Sequence, residues 1–151
     1  MKYIIKNLKE MDDFALSCAE KFSKMKKKDS LARLVGATIV GLYGDLGSGK
    51  TTFVKALAKA YGITEHITSP TFVIMKSYNL IPNSYNLLIH IDAYRLKSGE
   101  ELITLGWEKI ISNPQNLICI EWPENVAYII PKDHIVMKFT FVDENTREIE
   151  Y

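Results

Sequence analysis

A single α/β domain, with a mainly parallel central sheet flanked by helices and antiparallel strands at the carboxyl end, is predicted by three observations. A glycine-rich octapeptide sits between a strand pattern and a helical pattern, the order in which an α/β unit turns from sheet to helix. Leu117-Ile118-Cys119-Ile120 is a short continuous apolar run, suited to a strand buried on both faces of a parallel sheet. Two further strand patterns follow it, joined by the polar turn Asp143-Glu144-Asn145-Thr146. The 151 residues are 47 % apolar, enough for one core and too few for two ordinary ones, so residues 1–151 read as one unit.

In chain order, Asp12 or Asp13 can cap a first helix that carries Phe14, Leu16, Cys18, Ala19 and Phe22 roughly on one face. It ends in Lys24-Met25-Lys26-Lys27-Lys28, read as a solvated helix end favoured by the helix dipole, or else as a contact surface for RNA or an acidic partner. Residues 38–43 form a buried-strand pattern, and 52–61 have helical spacing that stops at Gly62. Residues 71–78 and 86–91 read as strands, separated by a turn containing Pro82-Asn83-Ser84. One helix is expected over 98–111, with Ser98 and Glu101 spaced as a capping box. The apolar strand 117–120 ends at Glu121, and 135–142 and 147–151 are the antiparallel pair. No repeat, low-complexity segment or linker interrupts the series.

Nineteen basic against eighteen acidic residues leave a net charge of +1, so no general positive field argues for bulk nucleic-acid binding. Any link to RNA is then indirect or confined to a patch. The amino-terminal residues meet charge before an apolar segment develops, unlike a signal peptide, and no apolar stretch is long enough to span a membrane. Cys18 and Cys119 lack metal-ligand spacing and read as small buried apolar residues. A cytoplasmic protein with no membrane partner is the expectation.

The octapeptide Gly44-Asp45-Leu46-Gly47-Ser48-Gly49-Lys50-Thr51 matches the phosphate-binding loop in full, and its strand-before, helix-after setting is the context that motif requires. Glycines let backbone N–H groups curl round phosphates, and a helix starting near Lys50 adds partial positive charge. The candidate ATP-binding set is Asp45, Leu46, Gly47, Ser48, Gly49, Lys50, Thr51 and Thr52. Lys50, expected to face solvent without ligand, can reach the β and γ phosphates, and the Thr51 hydroxyl can ligate Mg²⁺.

Hydrolysis or transfer also needs carboxylates, and two stand at predicted strand ends: Asp92 and Glu121. If both strands neighbour the one feeding Gly44, both acids face the phosphates; the alternative is a solvated acid or a partner for Arg95. We assign Glu121 to the metal and Asp92 to orienting or deprotonating the attacking water, with the reverse division open. Thr68-Ser69-Pro70-Thr71 is either a γ-phosphate-sensing segment or an ordinary turn opener. His90 reads as a structural residue in an apolar strand, while His66 and His134 have no metal-ligand companions. Trp122 is either core or a lid over the site, and Trp107 reads as core. No arginine finger is evident: Arg33 precedes the loop strand, Arg147 lies in the tail, and Arg95 can be tied up structurally. A small-molecule or nucleotide kinase and a nucleotide-binding interaction module without useful hydrolysis stand as alternatives to an ATPase. A GTPase is disfavoured because no Asn-Lys-x-Asp segment is present.

Taken in order, the loop through Thr52, Ser69-Pro70-Thr71-Phe72, His90-Ile91-Asp92-Ala93-Tyr94-Arg95-Leu96, Glu100-Glu101-Leu102 through Leu105-Gly106, and Ile120-Glu121-Trp122-Pro123-Glu124 closely resemble the TsaE family. The resemblance covers residues 10–142. It implies a small cytoplasmic ATPase required for threonylcarbamoyladenosine in transfer RNA, acting on a TsaB–TsaD ligase complex rather than transferring the group itself. It also implies ATP on 46–51, Mg²⁺ on Thr51 and Glu121, Asp92 in the catalytic neighbourhood, with Lys50, Asp92 and Glu121 as the catalytic set, and Ser69 and Thr71 in a switch-like segment. Ala93 and Pro123 depart from the family pattern without removing a charged or hydroxyl group.

Overall fold

The computed structural model describes residues 1–29, 36–65, 67–80 and 84–151; Arg33, His66, Pro82 and Asn83 lie outside the described residues. Seven strands among them form one sheet: β1 (Lys2–Ile5), β2 (Thr38–Tyr43), β3 (Met75–Asn79), β4 (Leu87–Asp92), β5 (Asn116–Glu121), β6 (Ile135–Phe141) and β7 (Arg147–Glu150). Their order is β1-β7-β6-β2-β5-β4-β3. The central run β6-β2-β5-β4 is parallel, while β7 runs antiparallel to β6, β1 to β7 and β3 to β4. The antiparallel carboxyl pair is as expected. Antiparallel strands nevertheless border the parallel centre on both sides, so the sheet is mixed rather than mainly parallel.

Side-chain alternation on the central strands builds two cores. Val40, Leu42, Leu88, Leu117 and Cys119 face α1 (Leu8–Asp29) and α2 (Lys50–Ala60), where they meet Phe22, Phe53 and Leu57. Ile39, Ile89, Ile91, Ile118 and Ile120 point the other way, onto Leu102, Trp107 and Val126 of α3 (Glu100–Thr104), α4 (Trp107–Ser112) and the 3₁₀ segment Pro123–Ile129. Both cysteines are buried in the core on the α1 and α2 side, as expected; burial pushes the Cys18 thiol up to about 12 and Cys119 higher still.

Four local readings are corrected. α1 begins at Leu8, capped by Asn7: Glu10 N donates to Asn7 Oδ1 at 2.9 Å and Lys6 N donates to Glu10 Oε2 at 2.8 Å, a reciprocal capping box. Asp12 instead pairs with Lys59 at 2.5 Å. The expected helix over 98–111 is two helices, because Gly106 takes φ 88° and restarts the chain as α4, and neither has a side-chain cap. Residues 71–74 form turns rather than strand, with Val73 N bonding Pro70 O at 2.9 Å and Ile74 at φ 64°.

Candidate functional site

β2 delivers the glycine loop at the carboxyl end of the parallel strands, and α2 leaves from it at Lys50. Gly44 takes φ 136°, and a Cβ there would collide with the Phe139 carbonyl oxygen, so the loop needs glycine at this turn. Lys50 is not solvent-facing: it is 3 % exposed, and its ammonium donates to the carbonyls of Gly44 and, at 2.9 Å, Asp45. The Trp122 ring lies 4.2 Å from the same nitrogen. Burial lowers the Lys50 pKa from its ordinary value, opposed first by the Glu121 charge and then by those of Glu124, Asp92 and Asp45.

Glu121 and Asp92 are register partners at the ends of β5 and β4, both buried. Of the two acid-bearing strands β5 adjoins β2 and β4 lies one strand further out, so the condition that the acid's strand neighbour the loop strand is met by Glu121 and not by Asp92. Thr51, in the first turn of α2, donates its hydroxyl to Glu121 Oε1 at 2.7 Å. His90 Nε2 meets the same oxygen at 2.8 Å. Asp92 is held from two sides: Thr71 Oγ1 donates to Oδ2 at 2.7 Å, and Tyr94 N donates to Oδ1 at 2.9 Å. Ser69 and Thr71 hydroxyls are 2.6 Å apart. The chain 69–71 is thereby linked through Asp92 to the strand-end acids, although its residues are far from them in sequence.

These groups line one cleft of about 1060 Å³. Leu46, Gly47, Gly49, Lys50, Thr51, Thr52, Ser69, Thr71, Asp92, Glu121 and Trp122 all contribute to its wall. Asp45 and Ser48 do not: the Asp45 carbonyl engages Lys50, and Ser48 Oγ is buried with no partner among the described residues. Trp122 is half-buried at φ 58°, with its ring 4.9 Å from that of Tyr94, between core and lid. Trp107 is core, its Nε1 donating to Ile129 O at 3.1 Å. His134 bonds Tyr43 Oη at 2.9 Å.

Sequence reasoning missed the opposite wall. It comes from the corner between β1 and α1, including Asn7 and Met11, and from Glu144, Asn145 and Arg147 of the β6–β7 hairpin. Arg147 is not a remote tail residue: its Nε donates to the Gly47 carbonyl at 3.2 Å, and Nη1 donates to Asp143 O at 2.6 Å and Thr146 O at 2.9 Å. Arg95 stacks over the exposed Phe72 ring at 4.6 Å and takes no part in the acid pair. The Asn7-x-x-Glu10 capping pattern could have located the first corner; nothing local signals the second.

The donor set suits a hard cation shared with phosphates. Thr51 gives its proton to Glu121 and keeps oxygen lone pairs free, and one hydroxyl with one or two carboxylates matches Mg²⁺, which keeps waters and phosphate ligands. No cluster of three or more His, Cys, Asp or Glu residues among the described residues offers a complete protein cage. Buried Ser48 Oγ and the Lys50 ammonium add a donor and a charge beside the loop.

A mixed α/β sheet whose glycine loop opens a helix opposite two strand-end acids defines a broad class of proteins. Sequence comparison narrows it: the family described as threonylcarbamoyl adenosine biosynthesis protein TsaE matches residues 5–149, and the chain belongs to that family. Among relatives, a protein of Nostoc sp. named tRNA threonylcarbamoyladenosine biosynthesis protein TsaE is 39 % identical over 122 residues, 78 % of this chain and 71 % of that one. Its namesake from Rickettsia bellii is 36 % identical over 130 residues, covering 85 % and 87 %. The crystal structure of Bacillus subtilis YdiB superposes with a TM-score of 0.70 at 26 % identity, covering 99 % of this chain and 82 % of that one. No described helix is long and apolar enough to cross a membrane.

Proposed function

We propose that this chain is a phosphate-loop ATPase of tRNA threonylcarbamoyladenosine biosynthesis, hydrolysing ATP to ADP and phosphate in the cytoplasm. It acts on a TsaB–TsaD-type ligase complex, contacts tRNA indirectly and does not transfer the threonylcarbamoyl group itself. One observation carries the ATPase reading: Thr51 of the loop helix is hydrogen-bonded at 2.7 Å to Glu121, whose register partner on the next strand is Asp92. A binding-only module has no use for the second, separately supported carboxylate.

The loop residues Leu46, Gly47, Gly49, Lys50, Thr51 and Thr52 hold the phosphates, and the nucleoside extends toward the wall built by the Asn7 corner and the Asn145–Arg147 hairpin. Thr51 and Glu121 would hold Mg²⁺, which would offset phosphate charge at this end of the cleft. Lys50 exchanges the Gly44 and Asp45 carbonyls for phosphate oxygens, and Trp122 covers it from solvent. Asp92 orients a water toward the γ phosphorus and takes its proton as the bond to the leaving oxygen breaks. The Ser69–Thr71 pair, already bonded to Asp92, reports the γ phosphate to the exposed 71–74 turn.

Arg147 is engaged by loop and hairpin carbonyls, so no described arginine is poised over the transferring group and hydrolysis by the chain alone is slow. The test is ATP hydrolysis with and without the purified ligase pair. Clear stimulation, together with ligase affinity that differs between ATP and ADP, supports the reading. Unstimulated hydrolysis with identical affinities in ATP, ADP and no nucleotide would leave an interaction module in its place.

A further inference from the structure

His90 is a histidine where an aliphatic side chain would pack. It lies in the middle of β4, fully buried, between Ile89 and Ile91, and shares the α2-facing side of the sheet with Leu88 and Cys119. Its Nδ1 is buried with no partner among the described residues, an arrangement that works against stability. Its Nε2 is 2.8 Å from Glu121 Oε1. A carboxylate only accepts hydrogen bonds, so Nε2 is the donor in this contact. The histidine is therefore retained on this strand for a single N–H.

That N–H determines how Glu121 can act. Oε1 already accepts the Thr51 hydroxyl at 2.7 Å, and His90 gives it a second donor; no hydrogen bond among the described residues reaches Oε2. With two donors converging from α2 and β4, the carboxylate is committed at one oxygen and cannot rotate without breaking both bonds. We infer that His90 is a positioning residue for the metal shell: it fixes Glu121 so that Thr51 keeps its lone pairs, and Oε2 remains, for the cation. This rests on the proposed Mg²⁺–nucleotide site. It assigns His90 no contact with nucleotide, metal or water.

The full chain is titrated with Mg²⁺ at fixed ADP, reading the magnesium midpoint of nucleotide tightening, and ADP affinity is measured separately in EDTA. His90→Gln keeps an amide N–H at the reach of Nε2, whereas His90→Asn has the same chemistry one methylene too short. Loss of a partner that orients a metal-holding side chain costs roughly 10- to 100-fold in metal affinity, so His90→Asn should raise the midpoint by that factor with EDTA affinity unchanged. His90→Gln should return it toward wild type. Equal midpoints in all three proteins, or Gln no better than Asn, would overturn the inference, since a purely packing role moves melting temperature alone. Nitrogen-15 NMR of the histidines in wild type adds a measurement that needs no variant: an Nδ1–H tautomer for His90 would also overturn it. If wild type binds no ADP with or without Mg²⁺, the proposed function falls and this inference with it; a wild-type Mg²⁺ response with indifferent variants removes this inference alone.

Discussion

Replacing Asp92 by asparagine separates catalysis from metal binding. Oδ1 of Asp92 accepts Tyr94 N at 2.9 Å and Oδ2 accepts Thr71 Oγ1 at 2.7 Å, so an asparagine oriented with its oxygen toward Tyr94 keeps the first bond. Its amide then faces Thr71, whose oxygen accepts from it, and the Thr71 O–H turns to donate to Ser69 Oγ at 2.6 Å. Exchanging one charge-assisted bond for a neutral one costs about 1 kcal/mol, and the fold survives. The lost capacity is acceptance of a proton from water. General-base catalysis contributes roughly 10²- to 10⁴-fold, so kcat should fall by that factor, about 3 to 5 kcal/mol in the barrier. Thr51 and Glu121 lie on α2 and β5 and keep their own bond, so affinity for a non-hydrolysable ATP analogue in Mg²⁺ should be unchanged. Phosphate release and calorimetry with and without Mg²⁺ measure the two halves. An unchanged kcat removes Asp92 from the chemistry. Loss of Mg²⁺-linked binding in Asp92→Asn, with Glu121→Gln retaining it, exchanges the two roles.

Three further outcomes are expected. Lys50→Ala should fold and nearly lose ATP hydrolysis, since its hydrogen bonds in the ligand-free protein go to two loop carbonyls and its other contact is the Trp122 ring; normal turnover would sink the phosphate-loop reading. Thr51→Ala removes the hydroxyl that would face Mg²⁺ and supports Glu121, and should weaken nucleotide binding by roughly 10- to 100-fold in Mg²⁺ but little in EDTA, so equal losses would take Thr51 out of the metal shell. Asp143 is held below its ordinary 3.8 first by the Asn145 N–H and then by Thr146 and Arg147. Its folded pKa is depressed, so its contribution is present above the unfolded value and lost as pH falls through the folded one. Asp143→Asn should therefore flatten the acid limb of the melting-temperature profile, and an unaltered limb would count against the hairpin's dependence on this carboxylate.

What was legible in the sequence was what short-range chemistry determines. The β2–loop–α2 unit, the buried strand β5 and the two strand-end acids follow from glycine spacing, apolar runs and the position of charges at their ends. Strand order is not local, and so the sequence left open whether the Asp92 strand adjoins the loop strand, which β5 in fact separates from it. Thr71-Phe72-Val73-Ile74 has the composition of a strand, yet the Thr71 bond to Asp92 and the Asp92 N–H to Ile74 O, at 2.9 Å, hold it as turns with a β-branched residue at positive φ. Tertiary contacts outweigh propensity there. The second wall of the cleft was invisible for the same reason: Asn7 and Arg147 come together in it only because β1 pairs with β7.

That pairing sets an order of events in time. Ile5 lies opposite Arg147, and Lys2 opposite Glu150, so the ladder joins residues from opposite ends of the sequence. Closing so long a loop carries a large entropic cost that adjacent elements avoid, and a chain made amino end first holds β1 unpaired until β7 has been synthesised. The β2–loop–α2 unit can assemble long before that. The cleft should thus acquire its glycine-loop floor early and its far wall last, in the step that also removes the exposed edge of β7, with late exchange protection of the Lys2–Ile5 amides as its signature.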